Sequence, residues 1–341
     1  MQATIPGHGD IGGIMTIGRT RGIGRIKALA AIGLMAFATA VAAQAWPNRP
    51  VRVIIPFPPG GTLDTVGRLL AQKVGEGLGQ NFIVDNRPGG NGTIGADIVA
   101  KAPADGYTLL FNASTFTTAP MTMRSVPYSV VDDFTPVALV AKAPLSIAIN
   151  KDLPITDVKS LIAYAKANPG KMNFAVGSVG SAGHLSTELL RRSAQLDYQI
   201  IPYKGTAPAL NDLVGGTIDG FIDPILGSLQ HHRAGRVRVV AVTSAARAPN
   251  LPDVATVGET IPGYEYTSWY GLWGPAKLPA DISLRLNDEV NRVLASAEVK
   301  DRLIPQGLLL TPGSIEDFVR FQRDDMAQSK KIITEGNIRL E

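Results

Sequence analysis

The sequence contains no cysteine and only four histidines among its 341 residues. The absence of cysteine excludes disulfide bonds, zinc–thiolate sites, a thiolate nucleophile and a lipidated cysteine after export. His231 and His232 are adjacent, so on a helix their side chains diverge by about 100° and cannot share one metal ion. We therefore predict no catalytic residue, no metal site and a mature protein that carries no lipid.

Long apolar runs are also rare. Ala28 to Ala42 has 15 residues, fewer than the ~20 that an ordinary membrane-spanning helix needs. It precedes Ala-Gln-Ala at 43–45 and follows four basic residues, Arg19, Arg21, Arg25 and Lys27. This order is typical of a secretory signal peptide, which we predict at residues 1–45, with cleavage after Ala42 and a buried N-terminal helix as alternatives.

The mature chain has almost no net charge. Residues 1–45 hold four of the 33 basic and one of the 29 acidic residues, so 29 basic and 28 acidic residues remain. Without a basic patch or a charge run, the chain lacks the main attraction to nucleic acid and to anionic membranes. We predict a periplasmic protein with no nucleic-acid partner.

Strand-like apolar runs alternate with amphipathic, helix-like segments, which predicts an α/β fold with parallel sheets covered on both faces. The alternation occurs in two series, separated by a long extended stretch at 137–149. We predict two lobes, with this stretch and a return segment between about Arg236 and Pro275 crossing between them as a hinge, and with the chain end packed on the first lobe. The predicted divisions are 46–143 with 240–341 for the first lobe, and 144–239 for the second.

Two glycine-rich loops occupy matching places, each between a strand and a helix. The first runs from Phe57 to Thr62 and the second from Gly177 to His184. In open α/β sheets, ligands bind beyond the carboxyl ends of the strands, where N–H groups at a helix N-terminus attract an anion. The pair predicts a carboxylate site held by main-chain amides from both lobes, and two simple turns are the alternative.

Polar side chains near these loops have more than one interpretation. Asp64 suits the first turn of its helix, where the dipole favours an acid, or selects a ligand amino group. Asp223 ends a strand and either faces the cleft or makes an interlobe or capping contact. His184 either packs at its helix start or touches ligand. Lys204 follows Tyr203 at a strand end and is either solvated or a source of positive charge.

Gly90 to Gly95 matches the dinucleotide-binding fingerprint between a strand and a helix. That fingerprint also requires an acid at the end of the next strand to hold a ribose, but this strand ends in Phe111-Asn112-Ala113. No cofactor is therefore predicted.

Seven short motifs along the mature chain form an ordered set. They are Trp46-Pro47, Val51–Thr62, Asn86–Gly95, Asp105–Leu110, the 177–185 loop, Pro202–Gly205 and Trp269–Leu272. Together they resemble the Bug, or TctC-like, receptors of tripartite tricarboxylate transporters. The resemblance covers essentially the whole mature chain. It implies a two-lobed class II periplasmic-binding-protein fold, a small carboxylate ligand held largely by main-chain amides, and a membrane permease as partner.

We accordingly expect a monomeric solute-binding protein rather than an enzyme, with a periplasmic sensor or an enzyme on the same scaffold as the alternative. The predicted ligand-binding residues lie at strand ends or helix starts. They are Phe57, Pro59, Gly60, Gly61, Thr62, Asp64, Ser114, Thr115, Gly177, Ser178, Gly180, Ser181, Ala182, His184, Tyr203 and Asp223.

Overall fold

The computed structural model describes residues 46–339, so the predicted signal peptide lies outside the described residues. Within this range ten strands form one sheet in the order β2-β1-β3-β9-β4-β7-β5-β6, with β8 and β10 paired to β4. The strands are β1 (Val51–Ile55), β2 (Phe82–Asn86), β3 (Thr108–Ala113), β4 (Phe134–Asn150), β5 (Asn173–Val176), β6 (Gln199–Pro202), β7 (Gly220–Pro224), β8 (Val237–Val242), β9 (Thr267–Pro275) and β10 (Leu309–Leu310).

Ten α-helices and three short 3₁₀ helices accompany the sheet in the same range. The α-helices are α1 (Thr62–Leu78), α2 (Thr93–Ala100), α3 (Thr115–Thr122), α4 (Val158–Ala167), α5 (Ala182–Ser193), α6 (Thr206–Gly215), α7 (Ile225–Arg233), α8 (Ala280–Ala295), α9 (Ala297–Leu303) and α10 (Ile315–Gly336). The 3₁₀ helices are Gly90–Gly92, Val257–Glu259 and Ile304–Gln306. None of the helices in residues 46–339 combines the length and the apolar character that a membrane crossing requires.

Strand β4 joins the two halves of the sheet. Its first part pairs antiparallel with β9 and β10, as far as the Pro144–Thr267 pair. From Leu145 onward it pairs antiparallel with β7 and β8. The predicted crossing stretch is thus one continuous strand, longer at both ends than the 137–149 expected from the sequence. The predicted strand crossing between the two halves is confirmed.

The sheet is mixed rather than wholly parallel. β1, β2 and β3 are mutually parallel, as are β5, β6 and β7, in agreement with the alternation of strands and helices. β4 and β9 run antiparallel to their neighbours. The prediction of parallel sheets was wrong for these two strands, because the chain leaves the first half along β4 and returns along β9 in the opposite direction.

Helices cover both faces of each half. In β9, Tyr270 and Leu272 pack into the cluster beneath α1 and α8, while the alternating Trp269 and Trp273 pack on the opposite face. In the second half, α4 and α5 cover one face, and α6 and α7 cover the other. Because side chains alternate along a strand, each strand of this sheet supplies two cores.

The C-terminal helix α10 contacts both halves. Near its start, Phe318 packs against Trp273 of the first half. Near its end, Ile332 and Ile333 pack into the cluster that contains α5 of the second half. The expectation that the chain end packs on the first lobe therefore holds only for the start of α10, because a helix of 22 residues is about 33 Å long and reaches across the junction.

Candidate ligand-binding cleft

A cavity of about 120 Å³ lies where the two halves of the sheet meet. Strand ends and helix starts from both halves form its wall. From the first half the lining residues are Phe57, Pro58, Pro59, Gly61, Thr62, Leu63, Asp64, Ala113, Thr115, Ser268 and Tyr270. From the second half they are Gly177, Ser178, Ser181, Ala182, Gly183, Lys204, Gly205, Thr206, Ala207, Pro208, Asp223 and Pro224.

Four helices begin at this wall. The first residues of α1, α3, α5 and α6 all line the cavity, and they are Thr62, Thr115, Ala182 and Thr206. The first N–H groups of a helix have no partner within the helix, and they carry the positive end of its dipole. Lys204, which is exposed, is the one cationic side chain among the described lining residues. The positive character of the wall therefore comes mainly from the backbone.

The first loop has two glycines with different roles: the backbone of Gly60 requires glycine, and the space beside Gly61 is unoccupied. Gly60 has φ +93°, in the left-handed region that favours glycine. Gly61 lies in the cavity wall with an extended backbone, and no atom lies within 4 Å of the place a Cβ would occupy. The backbone around Gly61 is therefore accessible to a ligand.

Asp64 holds the first loop in place. Its Oδ2 accepts hydrogen bonds from Gly60 N (3.1 Å) and Arg68 Nε (2.9 Å), and its Oδ1 accepts from Asn86 Nδ2 (2.9 Å). Burial alone would raise the pKa of Asp64, but the hydrogen bonds from Arg68, Asn86 and Gly60 hold it below its usual value. These contacts favour the interpretation of Asp64 as a structural acid rather than as a selector of an amino group.

The second loop is fixed by its own helix cap. Ser181 Oγ accepts the N–H of His184 (3.2 Å), and His184 Nδ1 accepts the N–H of Gly180 (3.1 Å). His184 is buried, and burial, assisted by the charge of Arg191, lowers its pKa to about 4. The imidazole is therefore neutral at physiological pH and acts as a local brace, away from the cavity lining.

A third loop reaches the cavity from the second half. Thr206 Oγ1 donates a 2.8 Å hydrogen bond to Asp223 Oδ2, which joins the start of α6 to the end of β7. Tyr203 points elsewhere: its hydroxyl donates to Asp212 Oδ2 at 2.6 Å. Burial and this bond to Asp212 raise the pKa of Tyr203 to about 12.

Two buried hydroxyl groups in the wall have no hydrogen-bond partner among residues 46–339. Thr62 Oγ1 and Tyr270 Oη belong to side chains that are 6% and 2% exposed. They lie close enough to each other and to Ser268 to affect the titration of Tyr270, but neither makes a hydrogen bond of acceptable geometry. An unsatisfied buried hydroxyl costs about 1–3 kcal/mol, and a ligand that supplies the missing partner recovers that cost.

Side chains of the first half also contact the second loop directly. Asn91 Nδ2 donates to Val179 O (2.8 Å), and Thr118 Oγ1 donates to Gly180 O (2.7 Å). These two bonds tie the second loop to the 3₁₀ turn before α2 and to α3.

Most of the predicted site residues lie in the cavity wall, and five do not. Eleven line it, namely Phe57, Pro59, Gly61, Thr62, Asp64, Thr115, Gly177, Ser178, Ser181, Ala182 and Asp223. The other five are directed elsewhere or lie behind the wall, namely Gly60, Ser114, Gly180, His184 and Tyr203. Residues 46–339 contain no group of three or more His, Asp or Glu arranged to hold a metal ion.

In the third loop, sequence reasoning selected Tyr203 and considered Lys204 but missed the start of α6, and it also missed the floor of the cavity. Gly205 directly precedes α6, so the strand–glycine–helix signal that identified the other two loops also applied there. Tyr270 and Ser268 carry no comparable signal, because β9 is buried on both faces and its sequence does not distinguish the cavity from the core.

A two-lobed α/β sheet with a cavity at the strand ends between its halves defines a solute-binding protein with the periplasmic-binding-protein fold. The structure is similar to that of the periplasmic binding protein BugD, with a TM-score of 0.82, 32% identity and coverage of 87% of this chain and 100% of that one. The chain belongs to the TctC family, described as tripartite tricarboxylate transporter family receptors, whose family model matches residues 66–338.

Two further solved structures resemble this chain closely. The R. palustris protein Rpa4515, solved with adipate, has a TM-score of 0.84 and 37% identity, covering 86% of this chain and 99% of its own. MatC from Rhodopseudomonas palustris, solved with bound malate, has a TM-score of 0.79 and 31% identity, covering 84% and 100%. The resemblance inferred from the sequence motifs is confirmed, and the protein is a solute-binding receptor rather than an enzyme.

Proposed function

We propose that this receptor captures a small carboxylate between its lobes and passes it to a membrane permease of the tripartite tricarboxylate type. The observation that carries the proposal is the cavity wall, where four helices begin and where no described lining residue is an arginine. A carboxylate placed there accepts hydrogen bonds from main-chain N–H groups, and the helix dipoles favour its charge.

The ligands of two solved relatives support the carboxylate class. Adipate in Rpa4515 and malate in MatC are dicarboxylates of different length, held by proteins 37% and 31% identical to this one. The ligand proposed here is accordingly a small mono- or dicarboxylate.

The lobes close by bending where β4 and the return segment between β8 and β9 cross between the halves. We keep the first predicted boundary, between residues 143 and 144, which agrees with the change of strand partners after Pro144. The return boundary is better placed just before β9 than at residue 239, since β8 pairs with the second part of β4 as far as Val242, and Tyr264 and Tyr266 pack into the second-half core. Such hinge closure around a ligand uses a few residues in the crossing segments.

Residues 1–45 direct export in this proposal, and the processed chain acts in the periplasm as a monomer. Membership of the TctC receptor family and similarity to the periplasmic binding protein BugD support that location. The nearly balanced charge of residues 46–341 leaves recognition of the permease to local surface contacts rather than to a net electrostatic attraction.

A matched pair of glycine substitutions tests the proposed site. The full chain is expressed with its own leader, and the processed protein is screened by thermal shift and calorimetry against mono- and dicarboxylates of two to eight carbons. A bound ligand at a hundred times its Kd stabilises the folded state by about 2.7 kcal/mol, which raises the melting temperature by several degrees. Gly61 lies in the cavity wall, and no atom lies within 4 Å of the place of its Cβ, so Gly61→Leu can be accommodated by the fold. The leucine side chain would occupy the cavity and should abolish the rise in melting temperature.

The control is Gly215→Leu, an exposed helical glycine that also has open space around its Cβ but lies outside the cavity. It should bind as the unmodified protein does. Binding that survives in Gly61→Leu would place the site elsewhere, and consumption of the ligand during the measurement would contradict a pure receptor.

A further inference from the structure

Asp223 is a buried acid in the cavity wall without a cationic partner. It ends β7, is 8% exposed, and forms no ion pair with a described residue. Thr206 Oγ1 donates to Oδ2, while Oδ1 faces Gly177 at the start of the second loop, 3.6 Å from the place of a glycine Cβ. One carboxyl oxygen is therefore held by the protein, and the other lies beside Gly177 in the cavity wall.

The groups around Asp223 do not neutralise a negative charge. Thr206 on α6 and the buried hydroxyl of Tyr270 on β9 are uncharged, and burial raises the pKa of Tyr270. Lys204 lines the same cavity but is exposed. Burial raises the pKa of Asp223 to about 7, against a smaller lowering effect of the bond from Thr206.

A second negative charge would be unfavourable beside this carboxyl. Two like charges 4 Å apart repel by about 4 kcal/mol at the effective dielectric of a protein surface. A ligand hydroxyl or ammonium group would instead donate a hydrogen bond, and hydrogen bonds to charged groups contribute about 1.5–3 kcal/mol. The free oxygen thus distinguishes a ligand with a donor from one that carries only acceptors.

We propose that Asp223 is a specificity-determining residue, which selects carboxylates that carry a hydrogen-bond donor, a hydroxyl or an ammonium group, next to the carboxylate bound at the second loop. The inference rests on the proposed function and narrows its ligand class to 2-hydroxy and 2-amino acids. The unpartnered hydroxyls of Thr62 and Tyr270 then serve the far end of the ligand, because they line the first-half side of the same cavity.

Asp64 provides the internal comparison. It lines the same cavity, but Gly60, Arg68 and Asn86 already bond its two oxygens. Asp64 therefore has little capacity left for a ligand, whereas Asp223 has an open acceptor.

The experiment compares ligands that differ in a single group. Calorimetry at pH 8 measures Kd for succinate, malate and aspartate, for glutarate, 2-hydroxyglutarate and glutamate, and for propionate, lactate and alanine. At one chain length or more, the hydroxy or amino member should bind at least about tenfold more tightly than its unsubstituted parent. The hydroxy and amino members of each set show which donor the site takes.

Two variants assign the preference to Asp223. In Asp223→Asn, Thr206 can keep its bond to the amide oxygen, so that the amide nitrogen, a donor, faces the cavity. Asp223→Ala removes the group. Both should bring the ratio between substituted and unsubstituted ligands to within about threefold. Asp64→Asn, the matched control, should weaken all ligands together and leave the ratio unchanged.

The outcomes separate this inference from the proposed function. Equal or tighter binding of the unsubstituted acids by the unmodified protein overturns the inference, even if a variant fails to fold, and leaves carboxylate capture intact. A preference that persists in Asp223→Asn or Asp223→Ala also overturns it. Failure of every carboxylate in the panel and in the wider screen overturns the proposed function itself.

Discussion

The two sides of the cleft use the same side chain in opposite ways. On the first side, Asp64 is surrounded by donors, and its pKa lies below the usual value for an aspartate. On the second side, Asp223 has the single bond from Thr206, and its pKa is raised to about 7. Both side chains are nearly inaccessible to solvent, but Asp223 lies deeper within the protein, and this burial is the main cause of its raised pKa.

The two acids also differ in the number of hydrogen-bond donors around them. An ionised carboxyl has about four acceptor positions, and a buried one is stable when those positions are filled. Donors from Gly60, Arg68 and Asn86 fill the acceptor positions of Asp64, which fixes the loop that contains Gly60. Asp223 keeps an unfilled acceptor position in the cavity wall, which is the arrangement expected of a ligand-binding group rather than of a structural one.

The largest expected effect is on the pH dependence of stability at Asp223. Since its folded pKa is raised above the unfolded value of 3.8, the contribution of Asp223 to stability is largest at low pH and is lost as the pH rises towards 7. Asp223→Asn does not titrate, so its stability relative to the unmodified protein should increase by about 2 kcal/mol between pH 5 and pH 8.

Urea unfolding of the ligand-free proteins at both pH values measures this difference. A difference that is the same at pH 5 and pH 8 would mean that an undetected donor or cation stabilises the Asp223 carboxylate.

A smaller change in stability, which does not depend on pH between 5 and 8, is expected for Asp64→Asn. The lowered pKa of Asp64 means that the ionised form stabilises the fold above pH 3.8, and this contribution is lost as the pH falls through the lowered value. Asp64→Asn should destabilise the protein by about 1–2 kcal/mol, equally at pH 5 and pH 8. The same urea series provides the measurement, and a loss that varies across this range would contradict the comparison.

The smallest effect on stability is expected at Tyr270. Because its hydroxyl has no partner within residues 46–339, Tyr270→Phe should stabilise the ligand-free protein by up to about 1 kcal/mol, since it removes an unsatisfied buried group. It should nevertheless weaken a bound carboxylate by about 3- to 10-fold, since the hydroxyl finds its partner in the ligand. Equal losses with and without ligand would show that the hydroxyl is bonded within the protein.

Much of the fold could be predicted from local pattern. Helix α1 (Thr62–Leu78) follows from its sequence, because its apolar residues repeat at helical spacing and Gly79 ends it in a left-handed conformation. Helix α3 was missed. Its sequence, Thr-Phe-Thr-Thr-Ala-Pro-Met-Thr, is rich in β-branched residues and contains Pro120. Burial in the tertiary structure, with Thr117 and Thr118 wholly inaccessible, stabilises this helix against its weak propensity.

The candidate site was predictable where backbone chemistry defines it. Glycines at strand ends mark the loops of Gly61 and Gly177, and both lie in the cavity wall. The direction of a side chain was not predictable, because its residue type allows several partners, which lie near or far along the sequence. His184 turns towards Gly180, only four residues away, whereas Tyr270 reaches the cavity from a strand more than 200 residues after the first loop.

The continuity of β4 has a consequence for how the molecule melts. One strand of 17 residues, Phe134–Asn150, holds the hydrogen-bond ladders of both halves, and α10 packs across the same junction. Neither half can lose its central strand while the other keeps an intact sheet. Opening and closing of the cleft therefore bends a single cooperative unit. A substitution that destabilises either lobe should lower the melting temperature of the whole receptor.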